Sequence, residues 1–117
     1  MKNKNILIVI NNGIIGLDIK KQLNGYGYNT ELMNPKMNEK IKEKLNNGIQ
    51  LIILEKSADD EGIECAAKLA RHYNLPAIYL STDNDSNVTE QNGFRILMMP
   101  FGADDLKEVV KKILGDN

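Results

Sequence analysis

The chain has 117 residues, with 15 Lys+Arg against 16 Asp+Glu. That length suits one domain over 1–117 with a core of its own, and the balanced charge gives no electrostatic footing for nucleic acid or an anionic membrane. No apolar run approaches the roughly 20 residues that cross a bilayer, and the single cysteine, Cys65, excludes an internal disulfide and points to a reducing, cytoplasmic compartment.

Met1 to Asn5 leads straight into an apolar segment with no cleavage pattern behind it, so it reads as the approach to a strand rather than a signal peptide. Ile6-Leu7-Ile8-Val9-Ile10 is a β-branched run and the first strand. Asn11-Asn12-Gly13 ends it. Ile15, Ile19 and Leu23 recur every four residues, with Ile14 beside them, which predicts a helix that Gly25-Tyr26-Gly27 stops. Tyr28 to Met33 is a second, less apolar strand, placed nearer an edge. Asn34-Pro35 is expected to cap a second helix, with Pro in the first turn, and Met37, Ile41 and Leu45 as its buried stripe.

Gln50-Leu51-Ile52-Ile53-Leu54-Glu55 follows. Four uninterrupted apolar residues need cover on both pleat faces, so this is a central parallel strand. Glu55 then stands at its C-terminal end, the edge where open α/β sheets place ligands and chemistry. After a polar loop, Ile63, Ala66, Ala67, Ala70 and Tyr73 mark a third helix, which Leu75-Pro76 breaks. Ala77-Ile78-Tyr79-Leu80 is the fourth strand. Ser81 to Asn92 is polar, with room for a short helix at most. Arg95-Ile96-Leu97-Met98 is the fifth strand, Met99-Pro100-Phe101 a tight corner, and Asp104-Asp105 open the last helix. Five strands alternating with five helices give an α/β fold, a three-layer αβα sandwich wound on both faces of a parallel sheet.

Over nearly its whole length the chain resembles the receiver domain of bacterial and archaeal response regulators, the CheY-like family of flavodoxin-like fold. The residues that carry the resemblance are Ile6-to-Asn12, Leu51-to-Glu55, Pro76-to-Ser81, and Met99-Pro100-Phe101 before the Leu106 helix. It implies the strand order 2-1-3-4-5, with the ends of strands one, three and five around one shallow pocket. It also implies a phosphoacceptor site of two metal-binding acids, an acceptor Asp, a Ser or Thr, and a Lys. Those positions fall on Asn11 and Asn12, Glu55, Ser81 and Met99, and only Ser81 matches. The aromatic switch position falls on Ile96, and Thr82 is bulkier than the small residue usual after Ser81. Met99-Pro100 is a position where receivers often have a cis peptide.

The departures act on the chemistry together. Phosphoryl transfer is mostly positioning and charge neutralisation, and Mg²⁺ wants hard anionic oxygens. Asn11 and Asn12 bring none, and Met99 removes the cation that would hold a phosphoryl group. Each lost ion pair at ~4 Å is worth roughly 4 kcal/mol of raw Coulomb energy at an effective dielectric of about 20. Glu55, one methylene longer than Asp, either imitates the charge of a phosphorylated residue or is a solvated strand-end carboxylate; the residues leave both open.

Other candidates have simpler readings. Gly13-Ile14-Ile15-Gly16 opens a helix after a strand but lacks the three-glycine nucleotide fingerprint. His72 has no second ligand nearby, and Cys65 reads as a small, partly buried residue. Asp59, Asp60 and Glu61 lack calcium-loop spacing. Met98 and Met99 read as core and pocket lining.

The expectation is a degenerate receiver, not an enzyme. It would act through a protein partner, a histidine kinase or another signalling protein, or as a homodimer through the fourth helix, fifth strand and fifth helix. No catalytic residue, metal or cofactor is expected, and Mg²⁺ binding is expected weak or absent. The alternatives are a working phosphoreceiver with Glu55 or Ser81 as acceptor, and a flavodoxin-like small-ligand or nucleotide binder using the Asn11–Gly16 turn.

Overall fold

The computed structural model describes residues 4–11, 13–55, 61–81, 90–91, 94–98 and 102–115. In chain order these form β1 (Asn5–Val9), α1 (Gly13–Gly25), β2 (Asn29–Met33), α2 (Asn38–Leu45), β3 (Leu51–Glu55), α3 (Glu61–His72), β4 (Ala77–Ser81), β5 (Glu90–Gln91), β6 (Phe94–Met98) and α4 (Ala103–Leu114). The sheet order is β2-β1-β3-β4-β6-β5. Its five longer strands are parallel and stand in the expected order, with β6 as the fifth.

β1 and β3 form the centre. Ile6 pairs with Leu51 and the register runs to Val9 with Leu54. All eight of these side chains are fully buried. Alternate residues point to opposite faces, so each strand feeds two cores. Leu7, Val9, Ile52 and Leu54 pack with Ile41 and Leu45 of α2 and with Ala66, Ala67 and Ala70 of α3. Ile6, Ile8, Leu51 and Ile53 pack with Ile19 and Leu23 of α1 and with Leu106 and Val110 of α4. The result is the three-layer sandwich, with α2 and α3 on one face and α1 and α4 on the other.

α1 lies close over β2. A Cβ at the buried Gly16 would stand 2.7 Å from Leu32 Cδ1 and 3.1 Å from Cδ2, so the missing side chain sets the approach of helix to strand. Lys107 of α4 holds its ammonium 5.0 Å from the ring centre of Tyr26, which follows α1, and so ties together the two helices of that face.

The structure corrects four local readings. Asn34-Pro35 does not cap α2: Lys36 N–H donates to Asn34 Oδ1 at 2.9 Å and Met37 N–H to Asn34 O at 3.0 Å. This Asx-type turn competes with the helix, which starts at Asn38 with Met37 as its N-cap. Met37 is therefore 38% exposed, outside the stripe of Ile41 and Leu45. Ile14, grouped with the buried face of α1, is 83% exposed. Four helices are described; the fifth, expected within Ser81–Asn92, falls on a stretch of which 82–89 and 92–93 lie outside the described residues. Glu90 and Gln91, in the same polar stretch, instead pair antiparallel with Arg95 and Phe94, adding an edge strand that two polar residues did not signal.

Tyr79 on β4 is half-buried against the α2/α3 core. Desolvation raises its phenol above the ordinary 10.0, Arg71 pulls it down and Glu64 pushes it up. The native state thus holds this proton more tightly than the unfolded chain. The associated stability is intact below pH 10.0 and is lost as pH rises through the higher native value. Tyr79→Phe is expected to lose less stability than the parent over that alkaline range; identical slopes in urea unfolding would contradict the burial effect. At Gly16, substitution by Ala is expected to miss the gain of about 1 kcal/mol that the same change gives in an open helix interior. A measured gain of that full size would mean Leu32 turns aside without cost.

Candidate functional site

Because β1, β3, β4 and β6 pair in parallel, their C-terminal ends share one edge of the sheet. Buried ladder positions stop at Leu54, and Glu55 is the first residue of β3 whose side chain meets solvent. In register, Glu55 lies level with Leu80, and Ser81 level with Met98. Asn11 stands just beyond β1, which Ile10 prolongs by donating its N–H to Met33 O at 3.2 Å.

One contact joins these ends. The backbone N–H of Asn11 donates to Glu55 Oε1 at 3.0 Å. An Asp at this position would carry its oxygens one methylene nearer its own strand. The longer side chain lets the carboxylate cross from β3 to the turn after β1, a separation of 44 residues in sequence. A carboxylate accepting a backbone N–H is a charge-assisted bond, here near solvent. Asn11 is itself exposed.

Of the other expected site residues, Ser81 is the last residue of β4, and Ile96 lies in mid-β6 level with Tyr79. Asn12, Thr82, Met99 and the Met99-Pro100 bond lie outside the described residues, as do Asp59 and Asp60. The structure thus brings Asn11 and Glu55 into contact and puts Ser81 on the same edge. His72 ends α3 exposed, its ring 5.1 Å edge-on from Tyr73, and Cys65 is a half-buried free thiol.

Sequence reasoning missed a feature beside this edge. Ile14 and Leu17, three residues apart on α1, are 83% and 53% exposed. The signal was present: Ile15, Ile19 and Leu23 fix the buried direction, and a residue at Leu17 points well away from it at 100° per residue.

Comparison with known structures then places the fold. A response regulator receiver protein from Sinorhizobium medicae matches with a TM-score of 0.76 at 23% identity, over 97% of this chain and 96% of that one. A CheY-like receiver domain protein from Methanospirillum hungatei matches with a TM-score of 0.77 at 25% identity, over 97% and 95%. This is the receiver fold. A response regulator from Thermotoga maritima, solved in complex with Mg²⁺ and BeF, shares it with a TM-score of 0.75 at 25% identity, over 94% and 98%. No protein-family model matches the chain, and no curated protein matches it by sequence.

The Thermotoga maritima neighbour was solved with Mg²⁺, an ion that asks for several hard oxygens in near-octahedral array. Among the described residues no three His, Cys, Asp or Glu side chains converge. Glu55 Oε1 accepts the Asn11 N–H, and the Asn11 side chain brings no carboxylate to this strand end. Among the described residues, no helix is long and apolar enough to cross a membrane.

Glu55→Ala is expected to cost about 1 kcal/mol, less than a buried charge-assisted bond because solvent screens this one, and to speed amide exchange at Asn11. Glu55→Gln keeps an acceptor and is expected to stay nearer the parent. Unchanged exchange at Asn11 in the Ala variant would remove this contact from the account.

Proposed function

We propose that the chain is a receiver-like module of a two-component signalling system, one unit over 1–117, that does not take a phosphoryl group by the Asp/Mg²⁺ route. It works by contact with another protein, in the manner of a fixed adaptor rather than a phosphate-driven switch. The observation that carries this reading is the bond from Asn11 N–H to Glu55 Oε1 at 3.0 Å. The residue in the phosphoacceptor position spends an oxygen holding the turn after β1. It thereby links the ends of β1 and β3 directly.

The neighbouring substitutions support the same reading. Asn11, Asn12 and Met99 stand where two anions and a cation would be needed, so both the metal and the phosphoryl group lose their counter-charges. Glu55 reaches toward β1, which favours a structural clasp over imitation of a phosphorylated residue. The exposed Ile14 and Leu17 flank this turn on α1, and apolar side chains in such a place suit a protein contact better than water.

The test is a two-dimensional NMR titration with Mg²⁺ and beryllofluoride. The expected result is an absence of saturable shifts at Asn11, Glu55 and Ser81. Saturable shifts there would overturn the reading and point to a working phosphoreceiver.

A further inference from the structure

We propose that Asn47-Gly48, in the turn between α2 and β3, is a self-modification site, where Asn47 converts without an enzyme to isoaspartate or aspartate. An asparagine side chain can be attacked by the backbone nitrogen of the residue that follows it. Here the Gly48 nitrogen gives its proton to hydroxide and bonds to Asn47 Cγ. The Cγ–Nδ2 bond breaks and ammonia leaves, so a cyclic imide forms. Water then opens the ring. Opening at the side-chain carbonyl gives aspartate; opening at the backbone carbonyl gives isoaspartate, whose main chain runs through the side-chain carbon. In sum, one amide and one water become one carboxylate and one ammonium ion.

The sequence holds four Asn-Gly pairs, and two of them, Asn24-Gly25 and Asn47-Gly48, lie wholly among the described residues. The fold treats these two differently. Asn47 and Gly48 are both exposed and stand outside helix and strand. Gly48 N–H, the attacking group, has no acceptor among the described residues. A Cβ at Gly48 would meet nothing closer than Asn5 Nδ2 at 3.9 Å, and its φ is +90°. The missing side chain that leaves the nitrogen unshielded is thus also what the turn requires. One contact opposes the reaction: Asn47 Nδ2, the leaving amine, donates to Glu43 O at 2.7 Å. That bond lies at the end of α2, where helices fray. Gly25, by contrast, belongs to α1, so its nitrogen sits in the helical ladder. Asn24 Oδ1 is held as well, accepting Thr30 Oγ1–H at 2.7 Å.

The product matters because of where the turn leads. Gly48 O accepts Asn5 Nδ2 at 3.2 Å, Asn5 N–H donates to Gln50 Oε1 at 2.6 Å, and Gln50 N–H donates to Asn5 O at 2.9 Å. These bonds seat the start of β3 against β1. Isoaspartate lengthens the main chain by one carbon just ahead of them. Either product also removes the donor from Glu43 O and sets a negative charge at the C-terminal end of α2, where the helix dipole disfavours it. The conversion runs one way, so it loosens the foot of the central strand as the folded molecule ages.

The test ages the folded parent in mildly alkaline buffer and maps its peptides by mass. Asn47 is expected to gain one mass unit, with part of the product labelled by isoaspartyl methyltransferase. Asn24 is expected to react on the order of tenfold more slowly, what one bond of the helical ladder is worth. In concentrated urea the two rates are expected to converge, because only the shared Asn-Gly chemistry then remains. In the aged fraction the Gln50 amide is expected to exchange faster than in fresh protein. Asn47→Gln keeps an amide but needs a larger ring, so its Gln50 amide is expected to hold its protection through the same incubation. An Asn47 that stays intact, an Asn24 that keeps pace in the folded protein, a gap that persists in urea, or an aged fraction with Gln50 as protected as before each overturns the proposal.

Discussion

Two-sided burial of β1 and β3 is the constraint on which the remaining structure depends. From Ile6 to Val9 and from Leu51 to Leu54, every side chain is fully buried. Covering a side chain of this size is worth roughly 1.5–3 kcal/mol. The gain is realised only if helices close both faces, which the α1/α4 and α2/α3 pairs do. Parallel pairing of these strands also requires each connection to return across the sheet, so the C-terminal strand ends collect on one edge.

That collection explains why Glu55 matters. It is the first position of β3 free of the core and therefore the first able to carry charge without a large desolvation cost. Its extra methylene changes what the charge can reach. Joined to the Asn11 N–H, the carboxylate becomes part of the backbone architecture between two strand ends. In the proposed adaptor, rigidity at this edge would present α1 and its exposed Ile14 and Leu17 in one fixed pose.

The two flanks of the sheet are finished by different means. At one, two residues, Glu90 and Gln91, fold back antiparallel against β6. At the other, β2 is finished from outside by a lysine of α1. Gly16 lets α1 lie close over Leu32, and Lys20 of the same helix reaches Thr30 O. Helix packing and edge protection thus come from one helix on this side of the molecule.

Much of the fold was legible in the residues. The continuous runs Ile6–Ile10 and Leu51–Leu54, the fourfold spacing of Ile15, Ile19 and Leu23, and the Pro76 break each reflect local rules that tertiary packing then obeyed. Where local rules competed, the sequence misled: Asn34-Pro35 could open a helix or form a turn, and the Asn34 side chain settled it in favour of the turn. That Asn11, Asn12 and Met99 carry no charge and Glu55 carries one is plain from the letters alone, since charge needs no geometry. The partner of the Glu55 carboxylate and the Lys20 contact with Thr30 are not. Each depends on distances between segments, and periodicity along a sequence carries no information about reach across a sheet.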